Sequence, residues 1–146
     1  MRRILSDLLT IAVDARPLAQ RKDGIHVYTK KLLERLVRHG HRWCLYGCRN
    51  VFKQFDNVVC RDVSTPRSFN AFAKFGHWAR DDDADLFWSP RHHLPLGLGN
   101  IPAIVTVHDL VWKECPKVMP YHRRLVERTL FPRAMGQAVR VMCVKN

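Results

Sequence analysis

Residues 101–110, IPAIVTVHDL, decide the fold: a β-branched apolar run stops abruptly at His108 and Asp109. An unbroken Val/Ile run is the pattern of a strand buried on both faces of a parallel sheet. Open α/β sheets carry their chemistry just beyond the carboxyl ends of such strands, which is where His108 and Asp109 fall. The same grammar occurs near the start of the chain. Residues 10–14, TIAVD, form a second short apolar run that ends at a charged residue, followed by Ala15, Arg16, Pro17 and a polar loop to Gly24. From Gly24 onward, Ile25, Tyr28, Leu32, Leu33, Leu36 and Val37 are spaced to share one face of a helix. Strand, glycine-bearing loop and helix make a βα unit.

The rest of the sequence parses with the same two templates. Strands are expected at 41–47 (HRWCLYG), 57–60, 84–89 (ADLFWS), 101–108 and 139–144 (VRVMCV). Phe69, Phe72, Ala73 and Phe75 cluster at helical spacing and predict a helix over 68–80. A further helix is expected over 121–137, with Leu125, Val126, Leu130 and Met135 inward and with Pro132 bending it or ending its first part. Alternating strands and helices imply an α/β, Rossmann-like domain: a right-handed, mostly parallel sheet with helices on both faces. The 146 residues suffice for one such domain with a real core. A strand at 139–144 is expected to feed another helix, so the domain is expected to be one half of something larger.

Composition bounds the partners. Lys and Arg number 25 against 13 Asp and Glu, a formal charge of +12 that favours phosphate-bearing ligands, anionic lipid surfaces or nucleic acid. Five scattered cysteines, Cys44, Cys48, Cys60, Cys115 and Cys143, read as buried thiols in a reducing compartment. Asp7 interrupts an N-terminal run too short for a signal peptide, and no segment approaches the roughly 20 apolar residues of a membrane span. A cytoplasmic location is expected, with peripheral contact at the inner face of a membrane still open.

Several short patterns fail on context. Asp83-Ala84-Asp85 has the spacing of a cation-holding DxD pair, but it precedes its strand and so lies at the wrong end of a parallel sheet; a solvated turn is the better reading. Gly97-Leu98-Gly99 lacks a third glycine and leads to Ile101-Pro102 rather than a helix, so it is no dinucleotide fingerprint. Cys44 and Cys48 have no partner pair at zinc-ligand spacing. His92 and His93 are neighbours on an extended segment, where successive side chains diverge, which argues against joint chelation. They read instead as loop residues bonded to backbone. His108 differs because it closes a buried strand, although a structurally satisfied histidine is the competing reading.

The segments IAVDARPL (11–18), GIHVYTKKLLERL (24–36), DLFWSPRHHLPL (85–96), TVHDLVW (106–112) and RLVERTLFPRAMGQAVRVMCV (124–144), in this order, resemble the N-terminal, acceptor-side domain of a GT-B fold glycosyltransferase of family 4. The resemblance implies a retaining enzyme that moves a sugar from a sugar nucleotide to a glycan or lipid-linked acceptor, with no metal and no other cofactor. Gly24 matches the glycine of the first βα loop, which approaches donor phosphates and acceptor. A glycine at a helix N-terminus offers bare amides for that purpose. His108 matches the histidine beside the transferred sugar, where it would donate to a hydroxyl or support developing positive charge. Asp109 would orient His108 or the loop. Arg16, Tyr28, Arg91 and His92 are candidates for the acceptor cleft. The family's second domain carries an EX7E motif and the groups that bind the nucleotide diphosphate. The 146 residues contain no such motif, so catalysis would need a further half, such as a separate chain.

A stand-alone basic binding module is the alternative. Arg123, Arg124, Arg128 and Arg133 fall on or near one helix and would suit an anionic membrane. Nucleic acid fits less well, because no set of stacking aromatics accompanies them.

Overall fold

Alternation along the strands sorts the apolar side chains into two layers, and these layers build the domain. The computed structural model describes residues 8–20, 22–63 and 69–144, without the side chains of residues 69–71. Strands β1 (Thr10–Asp14), β2 (Arg42–Tyr46), β3 (Val58–Arg61), β4 (Leu86–Ser89), β5 (Ala103–Val107) and β6 (Arg140–Cys143) form one sheet in the order β3-β2-β1-β4-β5-β6. Every neighbouring pair is parallel. The helices are α1 (Arg16–Ala19), α2 (Gly24–Leu36), α3 (Phe69–Asp81), α4 (Val111–Glu114) and α5 (Tyr121–Gln137). The fold is α/β and Rossmann-like.

Ile11, Val13, Trp43, Leu45 and Trp88 pack with Leu33 and Val37 from the end of α2 and the turn after it. The residues between them in sequence, Ala12, Cys44 and Phe87, point the other way with Tyr46, Ala103 and Val105, toward Phe75 and Ala79 of α3 and Ala134 of α5. Helices thus cover both faces, as the alternating pattern requires. Across β4 and β5 the buried Trp88 indole donates to Thr106 Oγ1 at 3.1 Å, satisfying the only polar atom of that ring.

The six expected strands all form, four of them two or three residues shorter than their apolar runs. Helix α2 begins at Gly24, where the Asp23 side chain caps the His26 amide at 2.9 Å, and its six expected face residues are all buried or half-buried. Ser68, the expected first residue of the third helix, lies outside the described residues, as do Met1–Asp7 and Lys145–Asn146. Phe72 and Phe75 of α3 are buried, whereas Ala73 is exposed.

Helix α5 departs most from expectation. It runs unbroken through Pro132, and Leu125 and Val126 face solvent at 54% and 47% exposure. Its buried residues are Glu127 and Ala134, two turns apart, with Leu130 and Met135 only half-buried. The helix therefore seats on a stripe rotated from the one its hydrophobic residues mark. Two short helices were not legible in the sequence: α1, preset by Pro17 in its first turn, and α4 after Asp109. Cys44 and Cys48 are buried and Cys60 half-buried. Cys115 and Cys143 are exposed, contrary to the reading of buried thiols, because one follows surface helix α4 and the other lies on edge strand β6.

The closest approach to any glycine is at Gly76. A Cβ on Gly76 of α3 would stand 1.9 Å from the Leu96 carbonyl oxygen, so the loop after β4 rests directly on the helix backbone. No helix among the described residues is long and apolar enough to cross a membrane.

Candidate active-site cleft

A parallel sheet delivers all its carboxyl ends to one edge. Where the chain order reverses, here between β1 and β4, the loops splay apart and leave a crevice. A cavity of about 450 Å³ lies at this edge, within the usual size of small-ligand pockets. Its walls come from Arg91, His92 and His93 after β4, His108 and Asp109 after β5, Ile25 in the first turn of α2, and His122, Arg123 and Glu127 of α5.

His108 is half-buried, and its Nε2 lies 2.8 Å from the Pro90 carbonyl oxygen. A carbonyl only accepts, so Nε2 carries the proton, and Nδ1 is the acceptor of the neutral ring. This imidazole meets the Tyr28 ring at 4.9 Å between centroids, in a T-shaped arrangement. Fixed on two sides, the ring would accept a hydrogen bond from a ligand hydroxyl when neutral and donate one only when charged. Asp109 does not orient it. The Asp109 carboxylate instead accepts from the Val111 amide at 3.2 Å, pinning the entry to α4. Of the two expected roles for Asp109, the structure supports the loop.

Gly24 begins α2 with open space around it: a Cβ there would meet no atom within 4 Å. The first-turn amides of Gly24 and Ile25 have no intrahelical partner, which leaves two donors at the positive end of a 13-residue helix. His26 Nδ1 bonds the Pro17 carbonyl oxygen at 2.9 Å and fixes this turn against α1.

The two arginines part company. Arg16 is held by Asp14 through Nε at 2.8 Å and Nη2 at 2.6 Å, and its guanidinium lies over the Phe72 and Phe75 rings. Burial, which works against its charge, is outweighed by Asp14, so its pKa stays above the ordinary value. Arg16 is not among the residues lining the cavity. Arg91 does line it, donating to Gln20 Oε1 at 2.6 Å, while its buried Nε has no partner among the described residues. Burial lowers its pKa, and the nearby Arg16 and Arg123 oppose its charge against the pull of Asp14 and Asp23. A half-buried cation with an unpartnered donor suits an anionic group.

His92 and His93 do not diverge. Both Nε2 atoms reach the same oxygen of Glu127, at 2.6 Å and 2.8 Å, and neither ring bonds backbone as expected. The expectation fails because the segment leaves its extended path after β4, turning the two rings edge to face with centroids 4.5 Å apart. Burial tends to raise the Glu127 pKa, but hydrogen bonds and charge from the two histidines prevail and hold it down to about 2. Phe131, one turn further along α5, packs on the His92 ring at 5.5 Å.

The structure thus brings His108, Asp109, Arg91 and His92 around one cavity, with Tyr28 and Gly24 beside it, and leaves Arg16 outside. Sequence reasoning missed Glu127, His93 and His122. Glu127 carried a signal: helical spacing puts it in line with Leu130, Phe131 and Ala134, so an acid was bound to enter a packed face. The Asp83-Ala84-Asp85 turn behaves as structure, since Asp85 Oδ2 accepts from the Thr10 amide at 2.8 Å. No protein-family model matches the chain, and no curated protein matches it significantly.

Proposed function

We propose that this domain is the acceptor-side half of a GT-B glycosyltransferase similar to family 4, in which a sugar passes from a sugar nucleotide to a glycan or lipid-linked acceptor. The observation that carries the reading is the meeting, at one crevice of the sheet, of a fixed histidine, an arginine with an unpartnered buried donor, and the open N-terminus of α2. The arginine and the helix amides suit phosphate oxygens, and His108 with Tyr28 suits a hydroxyl-rich ring. Glycosyl transfer also needs groups on the far side of the cleft to position the donor and neutralise the leaving diphosphate, and a second domain would supply them.

The test is binding of nucleoside-diphosphate sugars and simple glycosides to the chain, followed by ligand-observed NMR, with His108→Ala, Arg91→Ala and Gly24→Val. A Cβ at position 24 meets no atom within 4 Å in the free domain, so the effect of the substitution on a ligand is separable from misfolding. Saturable binding weakened by all three changes supports the reading. No binding by wild type, or binding indifferent to all three, overturns it.

Surface attachment is a second reading, favoured by one patch. Val118 and Tyr121 are each 72% exposed beside Leu125 and Val126, and the exposed Arg123 and Arg128 share this part of the chain. Apolar side chains among cations suit the interface of an anionic bilayer. Sedimentation with phosphatidylglycerol vesicles that vanishes with Tyr121→Ser/Leu125→Ser supports it, and vesicle binding unaffected by that pair excludes this patch.

A further inference from the structure

We propose that His92, His93 and Glu127 form a site for a divalent transition-metal ion of the zinc class, with a remaining coordination position open to the cavity. The three ligand atoms lie within 4.8 Å of one another. Two imidazole nitrogens and a carboxylate are a donor set that borderline metals such as Zn2+ favour and that Mg2+ or Ca2+ do not. Three protein ligands plus one open position is the arrangement that accepts a water or another oxygen donor.

The geometry needs little adjustment. Ligand atoms at about 2.1 Å from a tetrahedral Zn2+ stand about 3.4 Å apart. The two nitrogens now lie 2.6 Å and 2.8 Å from one Glu127 oxygen, so a slight parting of hydrogen-bonded atoms makes room for the ion. Both rings expose only about a fifth of their side-chain surface (18% and 21%) and Glu127 exposes 11%, so the ion would be partly shielded from water. Packing against Phe131 and His93 already holds the His92 ring.

Charge does not forbid a cation despite the basic chain. With His92 and His93 neutral, as metal ligation requires, the ionised groups lining the cavity are Arg91 and Arg123 against Asp109 and Glu127, and they balance. Metal binding requires both histidines neutral with their Nε2 lone pairs free, so each ring must yield an Nε2 proton to Nδ1 or to solvent. Affinity should accordingly fall as the solution is acidified. The binding claim goes beyond glycosyl transfer and stands whether or not the cavity performs it.

The experiment is titration of the metal-free full chain with Co2+ and then Zn2+, read by visible absorption and by X-ray absorption at the zinc edge. The expected result is one tight site with nitrogen and oxygen neighbours and no sulfur. His92→Ala and Glu127→Gln should each weaken it by at least about 100-fold, beyond what loss of an outer-shell partner costs. His39→Ala and His77→Ala, both on exposed positions, should leave it unchanged. Circular dichroism without metal shows whether each variant folds, and His93→Gln replaces any that does not. Absence of a stoichiometric site, sulfur in the first shell from Cys48 and Cys60, or an affinity untouched by the ligand substitutions overturns the proposal.

Discussion

Replacing Gly76 by alanine puts a methyl group where the loop after β4 rests on α3. The new Cβ would lie 1.9 Å from the Leu96 carbonyl oxygen and 2.8 Å from the Leu96 and Gly97 carbonyl carbons. Relief means moving backbone by about 1.5 Å, which costs at the upper end of the 1–3 kcal/mol typical of overpacking. The same movement loosens Leu94 and Leu98, which are 1% and 0% exposed, and forfeits part of the roughly 1.5–3 kcal/mol that each buried leucine contributes. Alanine returns about 1 kcal/mol of helix propensity. The net is a loss of about 3 kcal/mol, or a drop in Tm of about 6–12 °C for a domain of this size. Gly136, near the end of α5, has nothing within 4 Å of its imagined Cβ. There the propensity term acts almost alone, and Gly136→Ala should stabilise by about 0.5 kcal/mol. Urea unfolding followed by tryptophan fluorescence reads both. A Gly76→Ala midpoint at or above wild type, or equal losses in the two variants, would refute the reasoning.

Asp82 accepts the Tyr46 hydroxyl at 2.6 Å and pairs with Arg61. Asp82→Ala should cost about 2 kcal/mol by urea unfolding, because it strands the hydroxyl of a buried tyrosine, and adding Tyr46→Phe should recover part of that loss. Glu127 is held down to about 2 from an ordinary 4.5. A depressed carboxyl stabilises the fold fully above its unfolded pKa and loses that contribution as pH falls through its folded one. Stability in the presence of a chelator should therefore fall between about pH 4.5 and 2 more steeply in wild type than in Glu127→Gln. In an enzyme reconstituted with a donor-binding half, His108→Ala should lower turnover at least about tenfold with the fold intact, and wild-type turnover in that variant would remove the histidine from catalysis.

Local pattern carried the architecture. The Val/Ile run of β5, the matching run of β1 and the one-sided helix after Gly24 each specify an element without help from the rest of the chain. Parallel topology then places His108 at the cavity-bearing edge by position alone, and Arg91 and His92 follow β4 to the same edge. What stayed hidden depends on contacts distant in sequence. Glu127 meets His92 and His93 across 35 and 34 residues, and no spacing rule links them. The seating of α5 was misjudged for the same reason. Leu125 and Val126 are apolar, yet the face that packs is the one whose acid finds two histidines waiting. Asp109 was left open between His108 and the loop, and local geometry decides for the loop, since a side chain two residues from an amide serves the turn before it serves its neighbour.

The loop that carries His92 and His93 is anchored before any ligand arrives. Leu94 and Leu98 are sunk in the core, Arg133 donates to the Leu94 carbonyl oxygen at 3.2 Å, and the Gly76 backbone supports the Leu96 end. Ordering entropy for this segment is thus spent at folding, and a ligand is spared the roughly 0.5–1.5 kcal/mol per side chain that immobilising a mobile loop would cost. On this wall of the cleft, association should proceed in one kinetic step, with an observed rate that rises linearly with ligand concentration and no slower phase for loop closure.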